Sequence, residues 1–247
     1  MTDIDQQAPL QFPALRNDRE PPVSVLRLPS LPASAGKQQW GNLPGAALSL
    51  AIAEAASNAG RFTLVLTEGS QSAERLQEEL AFFAPDLPVL HFPDWETLPY
   101  DVFSPHQDII SQRIAALYRL PQLSRGILVV PIATALHRLA PKRFLLGSSL
   151  VLDVGQKLDV EQMRTRLEAA GYRCVDTVYE HGEFAVRGAL IDLFPMGSDT
   201  PYRIDLFDDE IETLRTFDPE TQRSIDKVES IKLLPAREFP LEKKAVT

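Results

Sequence analysis

The segment YEHGEFAVRGALIDLFPMGSDTPYRIDLFDDEIETLRTF, Tyr179 to Phe217, decides how the second half of this chain folds. Short apolar runs rich in β-formers are separated by Gly, Pro and Asp clusters, the pattern of an antiparallel meander. In Tyr202-Arg203-Ile204-Asp205-Leu206-Phe207 the side chains alternate between two faces. Tyr202, Ile204 and Leu206 form the apolar set and are expected to face the core. Arg203, Asp205 and Phe207 then share the solvent side. A phenylalanine beside an arginine on a polar face is unusual for plain surface, and both residue types are enriched at binding hot spots. The preceding run, Arg187–Phe194, is expected to form one strand that opens on Arg187-Gly188. Gly188 permits a bend that brings Arg187 beside the next strand. Asp208-Asp209-Glu210 reads as a turn. A plainer reading of the arginines also stands: Arg187 and Arg203 pair with Asp192 or Asp205 across the sheet and contribute little.

Working outward, Leu150–Val154 reads as a strand. Asp159 can N-cap a helix with Val160, Met163, Leu167 and Ala170 on its buried stripe, and Gly171 ends it. Tyr172–Val178 is expected to be a strand with Cys174 as a buried structural thiol. This half, 149–234, is α+β with antiparallel pairing. Residues 235–247 read as the start of a returning segment.

The first half has a different rhythm. Leu43–Ala59 is an Ala-rich helix stopped at Gly60. Phe62–Thr67 is a buried strand, Ser70–Phe83 a helix and Leu87–Phe92 a strand. His106–Leu120 is a helix with Ile110, Ile114 and Leu117 at helical spacing, and Gly126–Pro131 is a further buried strand. Apolar strands alternating with helices indicate a parallel sheet covered by helices, placed at 41–148. Residues 1–40 carry scattered prolines and read as a flexible arm with a short extended piece at Val23–Leu28.

Composition narrows the function classes. The 247 residues are 44% apolar and carry a formal net charge of -9. An acidic chain is not expected to coat nucleic acid, so any DNA role, damaged-DNA contact included, would need a local basic patch or another domain. One cysteine excludes a disulfide scaffold and fits a reducing, cytoplasmic setting. No apolar run is long enough to span a membrane, and the opening MTDIDQQAPL lacks the order of a signal peptide.

The parallel-sheet half invites a nucleotide-binding reading, so its first turn must be tested against the phosphate loop. That chemistry needs glycines to open backbone amides, a lysine for charge and a hydroxyl for Mg²⁺. In NLPGAALS, with Ser49 at the hydroxyl position, the lysine position is Leu48 and the flanking glycine positions are Asn42 and Ala47. Only Gly45 remains, at a position the pattern leaves free. The site is expected to be degenerate. The histidines His91, His106, His137 and His181 show no metal-ligand spacing, so no metal site is expected. In the loop from Asp94 to Asp101, Asp94, Glu96 and Asp101 lack a basic partner nearby. That loop reads as a connector whose Trp95 and Tyr100 pack on the sheet edge.

The runs FPDWETLPYDVFSPHQDIISQR, GEFAVRGALIDLFPMGS and YRIDLFDDEIETLRTFD closely resemble the N-terminal region of the Mfd family of bacterial transcription-repair coupling factors. The similarity covers about Leu43 to Pro240. The second-half pattern also occurs in the excision-repair protein UvrB, whereas the DWETLPYD wording does not. The resemblance implies a degenerate helicase-like, RecA-like P-loop domain carrying an inserted α+β domain that binds UvrA. It implies that two arginines and a phenylalanine contact UvrA, matching Arg187 in VRGAL, Arg203 in YRID and Phe207 in LFDDE. It further implies a longer parent protein. ATP- and Mg²⁺-dependent motor domains, and contacts to RNA polymerase and double-stranded DNA, would lie elsewhere in it, as would a domain that masks the UvrA face. The expected function is recruitment of UvrA to stalled RNA polymerase, without catalysis or a cofactor in this region. The alternative is an ATP-binding or damaged-DNA-binding module.

Overall fold

The computed structural model describes residues 35–97, 102 and 104–240. The arm at 1–34 with its Val23–Leu28 piece, the packing of Tyr100, Asp101 and the last residues from 241 lie outside the described residues.

Three parallel strands form the first sheet: β1 (Phe62–Thr67), β2 (Val89–His91) and β3 (Gly126–Pro131), in the order β1-β3-β2. Helices α1 (Ala47–Ala59) and α2 (Ser70–Phe83) pack on one face through Ala53, Ala56, Ala73, Leu76 and Leu80 against Ile127 and Val129. Small alanines let the helices approach the sheet closely. The connection between β2 and β3 is α3 (Gln107–Arg119), which presents Ala116 to Phe92 and Val130. His106 caps it, its Nδ1 accepting from the Asp108 N–H at 3.3 Å. Two short helices follow, α4 (Ile132–Ala135) and α5 (Lys142–Gly147). Helix α1 starts at Ala47 and not at Leu43, because the chain first turns at Asn42 and Gly45, with φ of 55° and 57°. Past Pro44 a tight turn feeds the helix, the Ala47 N–H donating to the Pro44 carbonyl at 3.2 Å.

The second half begins with β4 (Leu150–Asp153) and α6 (Val160–Ala169). Asp159 caps α6 as its sequence indicates, its carboxylate accepting from the Gln162 N–H at 2.8 Å. Six strands then build a second sheet: β5 (Arg173–Cys174), β6 (Glu183–Arg187), β7 (Leu190–Leu193), β8 (Tyr202–Phe207), β9 (Glu210–Phe217) and β10 (Ser224–Val228). Their spatial order is β10-β9-β8-β7-β6-β5, antiparallel throughout except for the parallel β5–β6 pair. The last strand, β11 (Ser230–Leu233), returns to pair with β4.

Three expectations are corrected here. Phe62–Thr67 is a strand but not a buried one: as the edge strand β1 it has no fully buried residue. The run Arg187–Phe194 is not one strand. Arg187 ends β6 and pairs with Leu190 of β7 across a two-residue hairpin, with Gly188 at φ 62°. The run Tyr172–Val178 pairs only at Arg173–Cys174, and Cys174 is exposed. As the outermost strand, β5 has one neighbour and buries neither of its two side chains.

The largest core lies under the inner face of the six-stranded sheet. Phe184, Ile191, Leu193, Ile204, Leu206, Ile211 and Leu214 pack on Met163 and Leu167 of α6, on Leu152, Ile231 and Leu233, and on Ile114 of α3. Ile110 and Leu117 of α3 are partly buried against the same core. One helix therefore packs on both sheets.

Candidate partner-binding site

The outer face of the six-stranded sheet follows from strand register. Ala185, Asp192, Arg203 and Arg215 stand side by side on β6 to β9. One pleat toward the hairpin tips the row is Arg187, Leu190, Asp205 and Thr213. Alternation assigns the inner and outer sets of β8 correctly: Ile204 and Leu206 are buried in the core, and Phe207 is 73% exposed on the outer face.

Asp192 is the hub of this face. It is 1% exposed and accepts from Arg203 Nε at 2.7 Å and Nη2 at 2.9 Å. Arg187 Nη2 donates to the same carboxylate from the other side. The third nitrogen of Arg203, Nη1, donates to the Gln222 carbonyl at 3.2 Å, and its guanidinium lies 4.9 Å from the centre of the Phe217 ring. The hydrogen bond to Asp192 raises the Arg203 pKa, against the opposing effect of burial. In the next pair, Asp205 accepts from Thr213 Oγ1 at 2.8 Å and faces Arg215 Nη2 at 3.3 Å. Below the arginines, Val178, Ala185, Phe194 and Phe217 close this face with a small apolar cluster.

The structure thus brings Arg187 and Arg203 together on one carboxylate and sets Phe207 at the same end of the sheet as Arg187. The pairing with Asp192 that the sequence allows is present, and it coexists with an exposed Phe207. Arg215, Gln222 and Phe217 were not singled out from sequence. The alternation of β9 places Arg215 and Phe217 on Arg203's face and was the signal available.

At the expected degenerate phosphate turn, Asn42 and Gly45 shape the approach to α1, Leu48 is half exposed, and Ser49 is buried. The Ser49 hydroxyl donates to the Glu79 carboxylate, and this bond, with Arg75, holds the Glu79 pKa below its ordinary value. Gly45, Leu48, Ser49, Arg75 and Glu79, with Glu68, line a cleft of about 580 Å³. The hydroxyl that would meet Mg²⁺ in a working phosphate loop faces a carboxylate.

The other candidates resolve into structural roles. Asp94 accepts from Thr134 Oγ1 at 2.8 Å and from the Glu96 N–H at 3.1 Å. Trp95 stacks on His137 with ring centroids 4.8 Å apart and donates Nε1 to Glu238 at 3.1 Å. Arg113 is wholly buried between the Phe92 and Trp95 rings and pairs with Glu238 through Nε at 2.8 Å and Nη2 at 2.9 Å. His91 lies in β2, and His181 bonds Asp108 at 2.7 Å and the Ser198 carbonyl at 2.8 Å. Among the described residues no group of three or more His, Cys, Asp or Glu could hold a metal ion, and no helix is long and apolar enough to cross a membrane.

Residues 150–239 match the family model for the UvrB interaction domain. The chain is 51% identical over 218 residues to the transcription-repair-coupling factor of Escherichia coli, covering 88% of this chain and 19% of that protein. Identity to the Haemophilus influenzae factor is 52% over 204 residues, covering 83% and 18%. The Bacillus subtilis factor is 30% identical over 203 residues, covering 82% and 17%. The chain spans about a fifth of the length of these curated relatives. It belongs to the transcription-repair-coupling factor family as the counterpart of one segment, and its residues 150–239 are that segment's UvrB interaction domain.

Proposed function

We propose that this chain is the partner-binding module of a transcription-repair-coupling factor and that it recruits UvrA to RNA polymerase stalled at a DNA lesion. The observation that carries the reading is the outer face of the six-stranded sheet. There a solvent-exposed Phe207 stands at the same end as a half-exposed Arg187, within a domain of the UvrB interaction family. Arginine and aromatic side chains on one rigid sheet are the chemistry of a protein-binding hot spot. Arg187, Arg203 and Phe207 form the UvrA site in this reading.

The three-stranded parallel half is a degenerate RecA-like domain in the same reading, acting as a scaffold without catalysis or cofactor. The Glu79 carboxylate on Ser49 and the apolar Leu48 support this, since neither would neutralise a triphosphate. ATP, Mg²⁺, RNA polymerase and double-stranded DNA belong to other parts of a longer cytoplasmic protein, as does the domain that masks this face.

The test is retention of UvrA by the immobilised chain. The triple variant R187A/R203A/F207A is expected to lose it, with Phe207→Ala alone weakening binding by about 1–3 kcal/mol. Unchanged retention by a folded triple variant would sink the proposal.

A further inference from the structure

The two arginines that share Asp192 are not equivalent. Arg203 commits three nitrogens, two to Asp192 and one to the Gln222 carbonyl, and its side chain is 16% exposed. Arg187 gives Asp192 a single N–H and is 46% exposed. No other hydrogen bond or ion pair of Arg187 occurs among the described residues. One carboxylate faces two guanidinium groups, so one positive charge is left over. Bidentate geometry ties Asp192 to Arg203, and the excess therefore resides on Arg187. The neighbouring Asp205 is matched by Arg215 at 3.3 Å and does not cancel it.

Phe207 lies beside the β6–β7 hairpin, where the Leu206 N–H donates to the Ala189 carbonyl at 2.9 Å. A Cβ at Gly188 would meet no atom within 4 Å, so the space at this hairpin is open. On the other side of Phe207 the charge reverses. Asp208 and Glu210 are exposed at the β8–β9 hairpin, while Asp209 is taken at 2.9 Å by Lys157, whose charge Glu210 also feels.

We propose that Arg187 and Phe207 alone read the partner, that the buried Asp192 and the partly buried Arg203 support them, and that the partner segment presents a carboxylate, an apolar side chain and a basic side chain in that spatial order. The carboxylate meets Arg187, the apolar group covers Phe207, and the base meets Asp208 and Glu210. This rests on the reading of the face as the UvrA site and divides the three residues of that reading into two roles. Arg203 becomes a positioning residue. Its bidentate pair takes up most of the charge of the Asp192 carboxylate that Arg187 also touches.

That role makes an uncommon prediction. In Arg203→Met, Asp192 transfers its whole charge to Arg187, and UvrA affinity is expected to fall about tenfold. Adding Asp192→Asn removes that charge, and R203M/D192N is expected to return to within about threefold of the parent, although no guanidinium remains at 203. A direct contact by Arg203 could not be restored this way. If the folded double variant stays as weak as Arg203→Met, the division of roles is overturned.

Because both variants alter residues largely shielded from solvent, a second measurement uses exposed ones. Arg187→Ala is expected to flatten the dependence of UvrA affinity on salt, whereas Phe207→Ala weakens binding and leaves that dependence unchanged. An unaltered salt dependence in Arg187→Ala also overturns the proposal. If instead R187A/R203A/F207A binds UvrA as the parent does, the identification of the face has failed, which is a distinguishable result.

Discussion

Helices α1 and α2 cover one face of the parallel sheet, while on the opposite face Leu64 and Leu66 of β1 remain 58% and 49% exposed. The six-stranded sheet also buries one face, but its other face is closed by the Asp192 and Asp205 ion pairs and by Phe194 and Phe217. The difference separates two kinds of exposed apolar side chain. Leu64 and Leu66 stand at the β1 edge of a face whose charged anchor, Arg113, is buried over Phe92 beyond β2, and β1 itself carries no charged side chain. Phe207 stands on a face whose neighbours are locked by hydrogen bonds, so its position is defined before any partner arrives. Preorganisation of that kind lowers the ordering cost of binding.

The two sheets are joined through Arg113 and Glu238, and breaking that joint is the largest expected effect. Arg113 is wholly buried and its charge is met by Glu238. Glu238→Ala leaves the guanidinium unpaired among Phe92, Trp95 and the Pro93 carbonyl, to which its Nη1 also donates at 2.5 Å. The expected loss is about 3–5 kcal/mol in urea unfolding, with Trp95 fluorescence as one probe. A loss under about 1 kcal/mol would mean that the sheets do not depend on this pair.

Next in size is Asp192→Ala. It strands Arg203 beside Arg187, and it separates the ion-paired face from the apolar one because no equivalent carboxylate lies on β1. The expected cost is about 2–3 kcal/mol, less than for Glu238 because Arg187 can turn to water. Arg187→Ala is expected to cost under about 0.5 kcal/mol in the same unfolding experiment.

These two clusters also mark the limit of what the sequence makes legible. The faces of β8 follow from a period of two, which needs only local residues, and Ile204 and Phe207 fall where alternation puts them. The capping of α3 by His106 and of α6 by Asp159 is equally local. Which carboxylate holds Arg203 is a matter of register, set by hairpins whose lengths are not local to either residue. A reading of Arg187–Phe194 as one strand misses the hairpin at Gly188 and with it the pairing of Arg187 opposite Leu190. Glu238 meets Arg113 across 125 positions, and no local signal announces that. Cys174 looks buried because Tyr172, Val175 and Val178 lie around it in the sequence, but burial in a strand depends on what packs over it, and β5 is an edge.

A smaller effect tests the local end of that scale. Asp159→Ala removes the acceptor for the Gln162 N–H and should cost about 1 kcal/mol, with Asp159→Asn recovering most of it. Helix α6 supplies Met163 and Leu167 to the core under the ion-paired face, so the loss should appear in global unfolding rather than as fraying. Equal stability of Asp159→Ala and the parent would show that packing alone holds the helix.

The smallest effect belongs to β1. Leu64→Thr with Leu66→Thr introduces β-branched, strand-compatible side chains at positions already half in water. Each leucine has buried only part of its side chain, so little transfer energy remains to be lost, and the pair should cost under about 1 kcal/mol. The same change at Ile204, wholly buried on the inner face of the other sheet, should cost about 3 kcal/mol, because it removes methyl contacts and buries a hydroxyl without a designed partner. The double threonine variant should also bind less of a hydrophobic dye such as ANS, since the apolar face it alters is open to solvent. If the β1 pair proves as costly as Ile204, the exposed leucines are held by contacts that their accessibility does not reveal, and the contrast between the two sheets collapses. If the cost is small and UvrA binding is untouched, the exposed leucines and the exposed phenylalanine are separated by function as well as by surroundings.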